Sequence, residues 1–457
     1  MKFIQLTISL ISLIILPTCS FLDQTSPNDI PAADAITDAA SAEAAVVGIY
    51  SAMQQNGYYG ETYLLAGEGH TDNATTGGYQ VLSLDQIGNR NLTGANVIVE
   101  DMWTSIYRVI ANCNYVLRAL PNAADLEPAQ SKHLEGQVRA LRALAHFDLL
   151  RYFGEHWNNN SAFGIPIIQS IPSISEQPTR SSVAQTYQFV QSELAKAAAL
   201  LDKTQTDSHF ITYWAVQALR ARVSLYQKDM ANASRLASEV IDSGSFTLLD
   251  SESYVPSFSA RQTSESVFEL GFDTQNRSGY NAATFNRSDA IRPELSYLAS
   301  RDLHEFFDAR PGDVRALLLN FDPAANDPTI LPDGRSQKYR GESTRDNPAF
   351  ILRYAELFLI RAEAAGRPSG LADLNYLRTH RGLLKLQPTD LSSDVEWQQA
   401  LLDERRAEFH FEGHRYFDLA RTGKTSDVLG IDAFRRIFPL PIRELAANPS
   451  LSQNPGY

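Results

Sequence analysis

Two histidines and a glutamate near the C-terminus have the spacing closest to that of a metal site. His410, Glu412 and His414 follow the pattern H-x-E-x-H. A helical zinc site of the H-E-x-x-H type shares one face between its histidines, whereas Glu412 would point away from that face and Gly413 would end the helix. The sequence has no G-x-S-x-G, phosphate-loop or G-x-G-x-x-G motif. We therefore predict no metal, no cofactor and no catalytic activity. The sequence alone does not exclude a glycosidase-like carboxylate pair, because the chain has 53 acidic residues.

Cys19 is the second group with defined chemistry, because it closes an apolar N-terminal segment. Lys2 precedes the uncharged run 3–22, and the sequence L-P-T-C that ends at Cys19 resembles a lipobox, whose cysteine is acylated after cleavage. A retained membrane-spanning helix and plain secretion are the alternatives. Polar residues and a proline interrupt the run, so we predict a signal peptide at residues 1–18 and lipid attachment through Cys19.

Cysteine count and net charge narrow the class of partner. Acylation of Cys19 leaves Cys113 without a disulfide partner, and its place among apolar residues at helical spacing predicts a small buried side chain. The 40 Lys+Arg against 53 Asp+Glu give a net charge of −13, without a basic stripe. Such a surface repels phosphate backbones, so nucleic acid is not a predicted partner.

Apolar residues recur at three- and four-residue steps over much of the chain, which is the period of amphipathic helices. Ala215, Ala218 and Ala221 place small side chains on one helix stripe, as stacked helix–turn–helix repeats require. The predicted pairs are 99–120 with 130–153, 183–201 with 211–228, and 350–366 with 371–381. We predict an all-α fold of tetratricopeptide-like helical repeats in one compact body, with long irregular loops and a few short strands, including Ser266–Phe272.

The same pattern suggests the organisation of the mature chain. A polar tether at residues 19–33 precedes a helical N-terminal region at 34–240, a loop-rich insertion at 241–348 and a C-terminal region at 349–457.

Two loop segments without helical periodicity, around 57–79 and 273–285, combine aromatic residues with Asn and Asp. Long loops on a helical scaffold are where binding tends to occur. Aromatic rings stack on sugar C–H faces, while amides and carboxylates bind hydroxyl groups. The predicted ligand-binding residues are Asp72, Asn73, Tyr79, Tyr280 and Phe285. The alternative is that Tyr280 and Phe285 only pack their loop against the body.

A charged motif, residues 403–421, carries a family resemblance. Its sequence is D-E-R-R-A-E-F-H-F-E-G-H-R-Y-F-D-L-A-R, which is similar to the signature E-R-x-x-E-x-x-F-E-G-x-R-x-x-D-L-x-R of the SusD/RagB family. Further resemblances are I-L-R-Y-A-E from Ile351, N-Y-L-R-T-H-R-G from Asn375, F-P-L-P from Phe438 with the closing Q-N-P-G-Y, and C-S-F-L-D from Cys19. We predict that the charged signature residues tie helices together and do not bind ligand: Glu404, Arg405, Arg406, Glu408, Arg415, Asp418 and Arg421.

The resemblance implies an outer-membrane lipoprotein, exposed at the cell surface, that captures oligosaccharides or, in some lineages, peptides. Family members act as the lid of a SusC-type TonB-dependent transporter, so the implied partners are that transporter, the ligand and the membrane reached through the lipid anchor. Periplasmic retention is the alternative placement. A lipid-anchored adaptor for other proteins and a glycan hydrolase are the alternatives from other functional classes.

Overall fold

The computed structural model describes residues 35–76, 81–171, 173, 175–284, 297–319, 336–339 and 344–457. Cys19 and the signal peptide and tether around it, as well as Tyr79 and Phe285, lie outside the described residues.

Helices form most of the described chain and the strands are short, which confirms the predicted fold class. The α-helices are α1 (Ala39–Met53), α2 (Thr62–Gly69), α3 (Leu82–Gly88), α4 (Val97–Ala119), α5 (Pro128–Phe153), α6 (Val183–Leu200), α7 (Tyr213–Tyr226), α8 (Met230–Ile241), α9 (Ser251–Ser257), α10 (Gly279–Thr284), α11 (Arg301–Asp308), α12 (Tyr354–Ala365), α13 (Leu371–His380), α14 (Asp394–Phe409), α15 (Arg415–Thr422), α16 (Thr425–Leu429) and α17 (Ile442–Ala447). The strands are β1 (Ala74–Thr76), β2 (Ser266–Leu270), β3 (Tyr297–Ala299) and β4 (Ala349–Arg353). A π-helical turn spans Asn56–Gly60, and 3-10 turns span Leu120–Asn122, Val314–Leu318, Pro388–Asp390 and Ala433–Arg436.

Side-chain caps explain where the long helices begin. The Asn96 side chain accepts a hydrogen bond from the Ile98 N–H at 2.9 Å at the start of α4. Ser182 and Gln185 form a capping box at the start of α6. These contacts satisfy N–H groups that the first helical turn leaves without partners.

Consecutive helices pack against one another in a continuous stack. Helix α4 contacts α5, which contacts α6, and the series continues through α7, α8, α12 and α13. The predicted helix pairs correspond to α4/α5, α6/α7 and α12/α13, whereas α8, which lies between α7 and α12, is not among them. The small residues Ala215, Ala218 and Ala221 are buried in α7, where they permit close approach of its neighbours.

Two short antiparallel sheets join distant parts of the chain. Strand β2 pairs with β4, with Leu270 opposite Ala349, and β1 pairs with β3, with Thr76 opposite Tyr297. The predicted helix from residue 350 is therefore wrong in its first residues, which belong to β4. All five β4 residues are buried, and a short apolar run without alternation does not distinguish a buried strand from a buried helix.

The interior is apolar and closely packed around the long helices. Cys113 is fully buried, as predicted, and burial raises the pKa of its thiol to about 12. No helix in the described part of the chain has the length and apolar character needed to cross a membrane.

The last residues of the chain form a strap, residues 437–457, across the C-terminal end of α5. Arg180 donates to the Asn454 side chain at 2.7 Å, and Asn454 in turn donates to the carbonyls of Phe438 and Phe153 at 2.7 and 3.1 Å. The Phe438 N–H donates to the Tyr152 carbonyl at 2.7 Å. The strap thus closes one side of the core.

A buried charge network surrounds Glu408 of α14. Its carboxylate pairs with Arg315, Arg353 and Arg381 at 3.1, 2.8 and 3.0 Å. Burial opposes a charge on Glu408, but these guanidinium groups hold the pKa of its carboxyl well below the usual range.

The remaining signature residues pair in the same way, which supports their predicted structural role. Arg405 and Arg421 both bond Asp418, at 2.7 and 2.9 Å, and Arg310 bonds Glu404 at 2.9 Å. These side chains are buried or nearly so, because each charge has an opposite charge beside it.

We predict that Glu408→Gln lowers the free energy of unfolding by about 3–5 kcal/mol, because it leaves buried guanidinium groups without their counter-charge. Urea unfolding measures the change. Glu305→Gln is the matched control, since Glu305 pairs with Arg301 on the surface, where the two side chains are 70% and 92% exposed, and its expected effect is below about 1 kcal/mol. Equal effects of the two substitutions would contradict the assigned role of Glu408.

Candidate ligand-binding site

The two loop segments predicted to carry the ligand lie side by side. Asn276 donates to the Gln54 side chain at 2.5 Å, and Gln54 donates to the Gly271 carbonyl. A Cβ at Gly279 would lie 2.4 Å from the Glu61 carboxylate, so a larger side chain there would displace the Glu61 side chain. Sequence segments more than 200 residues apart thereby form one surface, since Asn276 and Gln54 are separated by 222 positions. We call residues 54–61 and 271–279 the loop face.

The exposed side chains of the loop face are polar. Gln55, Asn56, Asp273 and Gln275 are exposed, and Glu61 is partly buried. Burial, with Asp101 nearby, raises the pKa of Glu61 above its usual value. Amides and carboxylates of this kind can donate to and accept from the hydroxyl groups of a ligand.

Asp72 does not face solvent freely, because it binds the signature segment, residues 403–421. Arg415 donates to its two carboxylate oxygens at 2.9 and 2.7 Å, and Arg406 lies 3.2 Å away. Although burial opposes a charge on Asp72, the hydrogen bonds and charge of Arg415, together with Arg406, keep the pKa of its carboxyl below the usual value. Asp72 therefore joins the loop to helices α14 and α15.

Asn73 and Glu68 continue this connection. Arg406 donates to the side-chain Oδ1 of Asn73 at 2.8 Å, and the Asn73 side-chain amide donates to Glu68 at 3.1 Å. The other Glu68 oxygen accepts from the Gly413 N–H at 2.7 Å. Gly413 has a φ of +75°, a left-handed backbone conformation that L side chains rarely adopt. The backbone conformation therefore favours glycine at this position.

Tyr280 does not present an aromatic surface to solvent. Its side chain is fully buried, its hydroxyl donates to the Phe411 carbonyl at 2.7 Å, and its ring meets Tyr339 edge-on at 4.7 Å. The burial of Tyr280 favours the alternative that its ring packs the loop against the body over direct contact with a ligand. The physical reason is that the signature segment offers a backbone acceptor and an apolar pocket, which a loop tyrosine fills.

The residues of the H-x-E-x-H pattern also have structural partners. Arg353 donates to both oxygens of Glu412 at 2.8 and 2.9 Å, while His414 stacks on Phe409 with ring centroids 4.4 Å apart. In the described parts of the chain no group of His, Cys, Asp and Glu side chains is arranged to hold a metal ion.

Glu68 is a residue that the sequence analysis did not identify. It is the one acid in the otherwise uncharged run Thr62–Gly69, and an isolated charge in an apolar helix was the available signal. Burial raises the pKa of its carboxyl to about 7, despite the opposing hydrogen bonds from Asn73 and Gly413. The contact between the loop and the signature segment is therefore sensitive to pH.

We predict that wild-type stability falls relative to that of Glu68→Gln as the pH rises from 4.5 to about 7, because a carboxyl with a raised folded-state pKa favours folding while it stays protonated. The loss from Glu68 is about 3 kcal/mol for a pKa shift from 4.5 to about 7. In Glu68→Gln this pH dependence should be reduced, whereas Glu305→Gln, on the surface, should keep it. Thermal unfolding at several pH values measures both, and identical slopes in Glu68→Gln and wild type would refute the prediction.

Comparison of the sequence with known proteins identifies the family to which it is similar. A family model described as starch-binding and associating with the outer membrane matches residues 20–225, and a SusD family model matches residues 330–433. SusD-like protein P2 of Formosa agariphila is 25% identical, with 98% of each chain covered.

Solved structures give the same result. A SusD superfamily protein from Bacteroides thetaiotaomicron superposes with a TM-score of 0.80 at 25% identity, covering 92% of this chain and all of the other. A laminarin-binding SusD-like protein shares the fold, with a TM-score of 0.76 at 21% identity over 92% of this chain and all of the other. With two models of one family matching in order and the helical body shared throughout, the chain belongs to the SusD/RagB family.

Proposed function

We propose that this protein captures an oligosaccharide at the outer-membrane surface and delivers it to a SusC-type TonB-dependent transporter. The observation that carries the proposal is the match of residues 20–225 to a model described as starch-binding and associating with the outer membrane. The shared fold with a laminarin-binding protein supports a glucan as the first ligand to test.

The ligand is proposed to bind at the loop face. Its exposed amide and carboxylate groups suit hydroxyl groups, and Tyr79 and Phe285 are proposed as the stacking rings. Asp72, Asn73 and Tyr280 have a positioning role in this proposal, since each one bonds the signature segment. Their contacts hold residues 72, 73 and 280 against helices α14 and α15 and the turn between them.

The function requires binding without turnover. Product analysis after incubation with laminarin would detect a hydrolase, and isolation of the protein from solubilised outer membranes should bring the transporter with it. Binding of peptides in place of glycans would favour the peptide-capturing alternative of the same family. Binding of proteins alone would favour the adaptor alternative.

We predict that Tyr79→Ala weakens binding of laminarin or starch oligosaccharides at least about tenfold, because a stacked ring contributes about 1 kcal/mol beyond the area that it buries. Calorimetry measures the affinity. Tyr376→Ala is the matched control, since Tyr376 is a surface tyrosine, 44% exposed, on helix α13. Wild-type affinity in Tyr79→Ala, with the control also normal, would place the site elsewhere.

We predict that Cys19→Ser moves the protein from the membrane fraction to the soluble fraction, or leaves an uncleaved precursor, because the acyl acceptor is lost. Cell fractionation and the mass of the N-terminal peptide report the two outcomes. Unchanged processing together with unchanged membrane attachment would disprove anchoring through Cys19.

A further inference from the structure

His209 lies beside the start of the loop face, and its ring faces a buried carboxylate. The ring atom Nε2 is shielded from solvent and has no hydrogen-bond partner within the described part of the chain. It lies 3.3 Å from Oε1 of Glu269, whose side chain is 1% exposed, whereas the His209 side chain is 30% exposed. Protonation of the ring turns this contact into an ion pair in surroundings that hold little water. The strength of the contact therefore depends on the charge of the ring.

Glu269 fixes the turn that leads into strand β2. Its Oε1 accepts from the Gln262 N–H at 2.6 Å, and its Oε2 accepts from the Ser266 hydroxyl at 2.7 Å. Gln262 has a φ of +51°, a conformation that a residue with a side chain rarely adopts unless its surroundings hold it there. The Glu269 carboxylate therefore holds a strained turn, and His209 lies against the same carboxylate.

His209 also contacts the loop face directly. A Cβ at Gly271, the first residue of the loop-face segment 271–279, would lie 3.2 Å from the His209 ring, so the backbone and the ring are in close contact. The Gly271 carbonyl accepts from the side chain of Gln54, which belongs to the other loop-face segment. A displacement of the ring would therefore be felt where the two segments of the loop face join.

The segment that carries His209, residues 207–211, is fixed to the body on both sides. The Ser208 carbonyl accepts from the N–H of Glu269 in β2 at 2.9 Å. The Ile211 N–H donates to the hydroxyl of Tyr50 in helix α1 at 3.0 Å. This segment is thus a support against which the end of β2 and the start of segment 271–279 pack.

The other ring nitrogen, Nδ1, lies on the exposed side of the ring. The side-chain nitrogen of Gln262 is 3.2 Å from it, and the Asp207 carboxylate is 3.9 Å from it. Both ring nitrogens of an imidazolium carry hydrogens, so Nδ1 needs an acceptor once the ring is protonated. Asp207, whose side chain is 52% exposed, supplies a carboxylate for this purpose.

The charged groups around His209 favour its protonated form. Interaction with Glu269 raises the pKa of His209 above its usual value of 6.5, although partial burial opposes the charge. Asp207 adds to this increase, and Arg261, in the turn before β2, reduces it. Arg261 itself pairs with Asp346. The contact therefore stabilises the fold fully below pH 6.5, and this stabilisation is lost as the pH rises through the raised pKa.

We infer that His209 and Glu269 form a pH-sensitive switch on the loop face, which holds segment 271–279 in place while His209 is protonated and loosens it when the proton is lost. We call this pair the His209 switch. The inference rests on the proposed function in taking the loop face as the ligand-binding surface. It adds a regulation of that surface, because ligand affinity falls as the pH rises.

Hydrogen exchange measured by mass spectrometry tests the switch without a ligand. Peptides that cover residues 262–279 are compared between wild type and His209→Gln at the same pH, so that the intrinsic pH dependence of exchange cancels. At about pH 6 these peptides should exchange about three- to tenfold more slowly in wild type, and the difference should vanish at about pH 8.5. His380→Gln is the matched control and should behave like wild type, since the His380 ring bonds the Tyr376 carbonyl of its own helix, α13, at 2.8 Å.

A second variant, Glu269→Gln, removes the charge of the partner and keeps its size. The NMR signal of the His209 ring is identified by its loss in His209→Gln. It should titrate above pH 6.5 in wild type and at a lower pH in Glu269→Gln. A purely packing role of Glu269 would leave the titration of His209 unchanged.

Calorimetry with laminarin measures the regulation of binding. Wild-type affinity should fall about three- to tenfold between about pH 6 and about pH 8.5, and His209→Gln should lose this part of the pH dependence. Glu68, whose carboxyl has a pKa of about 7, titrates in the same range. Since wild type and His209→Gln both contain Glu68, the difference between them reports His209 alone.

The outcomes distinguish this inference from the proposed function. Equal exchange of peptides 262–279 in wild type and His209→Gln at about pH 6 would overturn the switch and leave glucan capture intact. An exchange difference without any difference in the pH dependence of laminarin affinity would overturn the control of binding by the switch. If laminarin binds to none of these proteins at either pH, glucan capture is refuted, and the exchange measurement alone decides whether the switch exists.

Discussion

The pairing of one buried carboxylate with several guanidinium groups is the constraint on which this structure depends. Glu408 lies in α14, whereas its partners Arg315, Arg353 and Arg381 come from a 3-10 turn, from β4 and from the residue after α13. None of these charges could be buried alone at an acceptable free-energy cost. These segments must therefore pack against α14 together, and the geometry of the ion pairs fixes their relative positions.

This constraint extends to the segment between α2 and β1 through a chain of bonded groups. Arg353 also bonds Glu412, the next residue is Gly413, and the Gly413 N–H bonds Glu68 at the end of α2. From Glu68 the contacts continue through Asn73 to the start of β1. Residues of the family signature, Arg406 and Gly413, thus hold the segment between α2 and β1 in place. These contacts explain how a loop without helical periodicity can keep a defined conformation.

The sequence predicts most of the helices, because the long ones carry strong amphipathic patterns, and it predicts the role of the signature charges, because acids and bases alternate within single turns. It misses helix α8, although the buried residues of that helix recur at helical spacing, namely Ala233, Leu236, Ala237 and Val240. For Tyr280, a polar neighbourhood in sequence suggested exposure, but the Phe411 carbonyl that accepts its hydroxyl lies 131 residues away.

The strap made by the last residues has a consequence for the timing of folding. The hydrogen bond of Arg180 requires Asn454, which lies 274 positions further along the chain. The hydrogen bond of Glu68 requires Gly413, which lies 345 positions further along. Contacts of such long range form slowly, after the local helices. A chain synthesised only as far as α14 therefore lacks both of these partners, so the hydrogen bonds that Arg180 and Glu68 make to them can form only after most of the helices have been synthesised.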